Sequence, residues 1–149
     1  MIKFFPSIRV QKDTGLDFDL IGNICSEIFN RGFKKNITFW CKVHKSRQEG
    51  TSTVERLDEK CLYLINLDIH PDKRYLIGSI LHELRHAFQL GIFKYNVIAR
   101  FSSYNAYYKS TEEKDARKQE KLTTEIVNIY DNYQKAQDKF KRFNLKELG

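Results

Sequence analysis

Residues 61–91 constrain this chain more than any other stretch. CLYLINLDI, residues 61–69, has the apolar and β-branched content of a strand. His70-Pro71-Asp72 then signals a helix start. Either His70 precedes a proline at the first helical position, or Asp72 caps the helix that follows. Ile77, Leu81, Leu84 and Phe88 recur at i, i+4, i+7 and i+11, which makes one apolar stripe. Ser79, His82, His86 and Gln89 form the adjacent stripe. The helix runs to about Leu90 and stops at Gly91. The leucines hold it down while the histidines face a cleft.

The flanking segments supply the rest of a small α+β domain. Residues 2–10 read as a strand interrupted by Pro6, which suggests a sheet edge or a bulge. Residues 18–29 read as a helix, with Leu20, Ile21, Ile24 and Ile28 on one side and Gly32 just past its end. ITFWCKV, residues 37–43, is a second strand. The polar stretch 44–60 holds Gly50 and reads as a loop or mobile hairpin. Residues 92–109 are aromatic-rich, with a short helix expected around 97–108. From 111 to about 143 the pattern is one long helix or two. Leu122, Ile126, Ile129, Tyr133, Ala136, Phe140 and Phe143 form a heptad-like seam there. That seam predicts packing on the body of the protein, or on another copy in a homo-oligomer. The expected architecture is a small, mostly antiparallel sheet packed with the helix over 73–90 and a long C-terminal helix. No linker, repeat or low-complexity tract divides the 149 residues, so one domain is expected over residues 1–149.

Two functional classes lose ground on composition. No apolar run approaches the roughly 18 residues of a membrane helix, so no membrane partner is expected. MIKFFPSIRVQKD lacks a secretory pattern, which predicts a cytoplasmic protein. Cys25, Cys41 and Cys61 are odd in number and form no CxxC pair. They read as buried free thiols, with Cys41 and Cys61 on strands that could neighbour each other. The net charge of +7 favours acidic partners, nucleic acid among them, although the basic residues are dispersed.

His82-Glu83-Leu84-Arg85-His86 is an HExxH motif. Two imidazoles four residues apart on one helix face reach one metal ion. Zinc prefers nitrogen and oxygen ligands in tetrahedral array, and a catalytic site leaves one position for water. His82 and His86 would be ligands. Glu83 would take a proton from the metal-bound water and pass it to the leaving group. The chemistry expected is that of a zinc-dependent hydrolase with a protein or peptide substrate. The three-histidine extension HExxHxxGxxH is absent, because position 92 is Ile92, and no histidine follows His86. His44 and His70 precede the helix. The third ligand is therefore expected to be a carboxylate from STEEKDAR, residues 110–117: Glu112, Glu113 or Asp115.

HELRH followed by a carboxylate on the next major helix resembles the gluzincin branch of zinc metallopeptidases. HELRHAFQ, an aromatic-rich segment and then Glu113-Lys114-Asp115-Ala116 also resemble the small phage-encoded or ImmA/IrrE-like minimal zincins. The resemblance covers residues 62–120. It implies Glu113 as third ligand, since the downstream glutamate of that branch commonly stands three residues before a small residue. It also implies a helix behind a small sheet whose edge strand holds an extended peptide, with residues 61–69 the candidate edge. An oxyanion donor is implied as well, and Tyr104, Tyr107 and Tyr108 are the candidates. Two features pull against Glu113. Ser110-Thr111-Glu112-Glu113 is also a capping box. On a straight helix Asp115, and not Glu113, shares the face of the downstream seam. Arg117 could bind a substrate carboxylate or carbonyl, and His70 could orient a group near the cleft.

Overall fold

The computed structural model describes residues 1–30, 38–57, 61–91, 114 and 122–148. In chain order its elements are β1 (Ile2–Pro6), α1 (Ile8–Thr14), α2 (Phe18–Asn30), β2 (Phe39–Lys45), β3 (Thr53–Arg56), β4 (Leu62–Leu67), α3 (Lys73–Gly91) and α4 (Thr123–Leu148). The fold is α+β, with a four-stranded sheet ordered β1-β2-β4-β3.

The sheet is mixed, not mostly antiparallel. β1 pairs β2 and β2 pairs β4 in parallel; β3 pairs β4 antiparallel. The reason lies in the stretch between β2 and β4. Of the loop or hairpin expected there, the structure has a strand, Thr53-Val54-Glu55-Arg56, that reverses the chain. A second reversal brings β4 back parallel to β2, and β4 inserts between β2 and β3. The β1–β2 pair is parallel because α1 and α2 carry the chain back between them, as a parallel pair requires. β4 is therefore internal, and the edges are β1 and β3. The candidate edge at residues 61–69 is thus displaced to β3.

β1 ends at Pro6, which has no N–H for a ladder. Residues 8–10 do not continue the strand, because Ser7 starts α1: its Oγ accepts the Val10 N–H at 3.2 Å. Gly15 closes that helix at φ +61°, donating its N–H to Gln11 O at 3.1 Å. α2 follows its expected pattern and lies close on β1. A Cβ at Gly22 would stand 2.8 Å from the Ile2 carbonyl oxygen, so only glycine permits this approach. Ser26 on the same helix accepts the Ile2 N–H at 2.7 Å.

Alternation decides the sheet's two sides. Ile2, Phe4, Phe39, Cys41, Val43, Tyr63, Ile65 and Leu67 are all buried, and they join α2 and α3 in one core. Phe39 lies between Tyr63, at 5.7 Å, and the edge of Phe88 from α3, at 4.8 Å. α4 crosses both α2 and α3. Ile126 and Tyr130 of α4 are buried, and Leu122 and Ile129 pack against the core. The heptad seam is split. Its first turns pack intramolecularly, whereas Tyr133 and Phe140 are 53% and 66% exposed. Among the described residues no helix is long and apolar enough to cross a membrane.

Candidate metal centre

α3 is fixed at its start by Asp72, whose Oδ1 accepts the Arg74 N–H at 3.0 Å while its carbonyl accepts the Leu76 N–H at 3.1 Å. Asp72 is the cap, so Pro71 stands outside the helix. His70 Nδ1 accepts the Asp72 N–H at 3.0 Å, and its ring lies 4.4 Å from Tyr75. Tyr75 donates its hydroxyl to Asp68 Oδ2 at 2.9 Å. That bond raises the tyrosine's pKa, helped by burial and the Asp68 charge. His70 thus supports the helix start. The helix from the Asp72 cap to His82 spans roughly 15 Å at 1.5 Å per residue, so His70, which precedes the cap, stands at the other end of that span from His82.

The apolar stripe is where the spacing puts it: Ile77, Leu81, Leu84 and Phe88 are all at 0% exposure, joined by Ile80 and Ala87. α3 packs through this stripe on β3 and β4. That anchorage fixes the rotation of the helix and therefore the direction of the adjacent polar stripe. Three polar side chains are buried among the described residues, and two belong to the motif: Glu83 at 6% and His86 at 4% exposure, with Thr123 the third. Removing a carboxylate from water costs several kcal/mol before compensation. Ionisable groups kept inside at that cost concentrate at functional sites.

The two histidines converge. His82 Nε2 and His86 Nε2 lie 3.2 Å apart, with ring planes at 85°. Two zinc–nitrogen bonds of about 2.0–2.1 Å at the tetrahedral angle would separate their nitrogens by about 3.3–3.4 Å. The spacing of the pair is therefore close to that of two corners of a zinc tetrahedron.

The third corner is not found among the described residues, where no group of three His, Cys, Asp or Glu is placed to hold a metal ion. The candidates Glu112, Glu113 and Asp115 lie outside the described residues, as do Tyr104, Tyr107, Tyr108 and Arg117. His44 is exposed on the sheet side away from α3 and does not approach the pair. A cleft of about 300 Å³ opens at the other end of α3, lined by Leu16, His70, Lys73, Tyr130 and Asp131 among others. Lys73 pairs there with Asp131. Tyr130, the buried anchor of α4, accepts the Asp17 N–H through its hydroxyl at 2.9 Å. Neither motif histidine lines that cleft.

The cysteines are free. Burial pushes the Cys25 thiol up to about 12, with the neighbouring Cys41 adding to it, and burial alone pushes Cys41 to about 12. Cys61 is half-buried and stands just before β4 at φ +64°, so it is not on a strand as expected; Tyr63, two residues on, is the register partner of Cys41.

Sequence reading left residues 44–60 as a loop or hairpin and did not place β3, the strand that supplies the sheet edge beside α3. Its signal was present but short: Thr53 and Val54 are β-branched, followed by two charged residues. No protein-family model, curated protein or solved structure matches this chain.

Proposed function

We propose that this chain is a zinc-dependent hydrolase acting on peptide bonds. The observation that carries the proposal is the convergence of the two Nε2 atoms at 3.2 Å on a helix that also buries Glu83. His82, His86 and one of Glu112, Glu113 and Asp115 would hold the metal, with Glu113 favoured by the resemblance to gluzincins. Zinc there would supply Lewis acidity toward a carbonyl oxygen and toward water.

The remaining chemistry belongs to the chain's own side chains. Glu83 takes the proton of the attacking water and returns it to the departing amine. A tyrosine hydroxyl from Tyr104, Tyr107 or Tyr108 donates to the developing oxyanion. β3 pairs with β4 on one side, and α3 packs on both strands. An extended peptide adding to the outer side of β3 would be held by main-chain hydrogen bonds. This supports a peptide as substrate over a small ester or amide.

The test is turnover of a mixed-sequence peptide library by the zinc-loaded protein, with products identified by mass spectrometry. Glu83→Gln should lower cleavage by roughly 100-fold or more, the range for loss of a general base. Cleavage that persists undiminished in Glu83→Gln removes Glu83 from the mechanism.

A further inference from the structure

The sheet is covered by helices on one side, and its other side carries an unusual set of residues. Register places Lys3, Trp40 and Leu62 in one outward row, and Phe5, Lys42, Leu64 and Glu55 in the next. Phe5 is 46% and Trp40 40% exposed, and their rings stack at 5.7 Å with planes 7° apart. Lys3 Nζ stands 5.5 Å from the Trp40 ring centre, within cation–π range. Lys42 is exposed on the outward row beside Phe5. His44 and Lys45 follow, exposed, at the end of β2. Among the described residues of these two rows the acidic one is Glu55, on β3, two strands from β2 and so roughly 10 Å away.

We propose that this outward face is a binding surface for single-stranded nucleic acid. Two flat apolar rings flanked by two ammonium groups match the chemistry of unstacked bases on a phosphate backbone. The chain's net charge of +7 adds attraction over longer range. A protein partner is a poorer match, because the buried centres of protein interfaces are depleted of lysine. A duplex is a poorer match too, because its base faces are already stacked on one another. The surface lies on the opposite side of the sheet from α3, so this inference does not rest on the zinc reading.

Trp40 is the chain's single tryptophan, so its fluorescence reports directly on the surface. The full chain is titrated with oligothymidylate of about twelve nucleotides, inside the ~4–16 nucleotide span of single-strand sites. Saturable quenching is expected, weakening as salt rises. Phe5→Ala keeps the reporter and should lower affinity about tenfold, from one lost base stack. Lys3→Gln and Lys42→Gln should each reduce the salt slope by about 0.7. Glu83→Gln should bind like wild type. All four positions tolerate a check of the fold by circular dichroism before titration. Three results overturn the proposal: no saturable quenching at low salt, equal affinity for a duplex of the same length, or wild-type affinity in both Phe5→Ala and Lys42→Gln. Sedimentation showing a dimer that Phe5→Ala dissociates would assign the face to a second copy instead.

Discussion

His86→Ala tests the metal site most directly, through the change in stability that zinc produces. The histidine nitrogens are already 3.2 Å apart on a helix whose neighbouring positions Leu84, Ala87 and Phe88 are at 0% exposure. An ion that binds the folded chain and not the unfolded one stabilises the folded state by its binding free energy at the prevailing concentration. At free zinc a hundredfold above its dissociation constant, that stabilisation is about 2.7 kcal/mol. A chain of 149 residues has an unfolding entropy of about 0.3 kcal/mol/K, so Tm should rise by about 9 °C over the chelated protein. If His86→Ala weakens zinc binding a hundredfold, about 0.4 kcal/mol remains at the same zinc concentration, a shift of roughly 1 °C. The variant also leaves a small cavity, because His86 is buried, so its chelated Tm falls as well. The zinc-induced difference, and not the absolute Tm, is therefore the quantity to read. Calorimetry with and without chelator supplies it, and elemental analysis gives the zinc content. His82→Ala should behave alike, and Glu83→Gln should keep the full shift. The same assay on Glu112→Gln, Glu113→Gln and Asp115→Asn identifies the third ligand. If His82→Ala and His86→Ala both retain the wild-type shift and zinc content, the geometric reasoning is wrong.

Two further expectations follow from the core. Burial holds the Cys25 and Cys41 thiols at about 12, so at pH 8 only about one in 10⁴ of either is thiolate. A thiol reagent should modify half-buried Cys61 first and reach the other two only on unfolding; rapid labelling of all three in the native protein would contradict the packing. The sign for stability follows from raised folded values. The unfolded thiols ionise near pH 9 while the folded ones stay protonated to about 12, so stability is intact below pH 9 and lost above it. Each thiol should cost up to about 1.4 kcal/mol at pH 10, measurable by urea denaturation against the Cys25→Ala and Cys41→Ala variants. The split seam of α4 makes the other expectation. Ile126→Ala should destabilise by about 2–5 kcal/mol and Phe140→Ala by less than about 0.5 kcal/mol, because Ile126 is at 0% exposure and Phe140 at 66%. Equal effects in chemical denaturation would mean that the second half of the seam is buried in solution.

Some of this protein was legible because the information is local. The α3 stripe is a matter of 3.6-residue periodicity, and the same period brings residues four apart together on one face. His82 and His86 could therefore be paired, and Asp72 offered as a cap, before any tertiary contact was known. α2 and the two central strands declared themselves in the same way. Residues 8–10 did not, because Ile8 and Val10 favour strand while the determining event is the Ser7 cap just after a proline. β3 did not either, since four residues carry too little pattern to outweigh a polar setting.

The sequence by itself determined the helix, its apolar face and the histidine pair, because each depends on backbone period and on neighbours within a few positions. Only the tertiary structure decided the strand order, the displacement of the edge from residues 61–69 to β3, and the outward placement of Phe5 and Trp40. Those depend on which strand lies beside which, and pairing between distant segments is set by the burial of a shared core. The same burial shut Glu83 and His86 away from water. An identical pentapeptide on an exposed helix would have had the spacing without the environment.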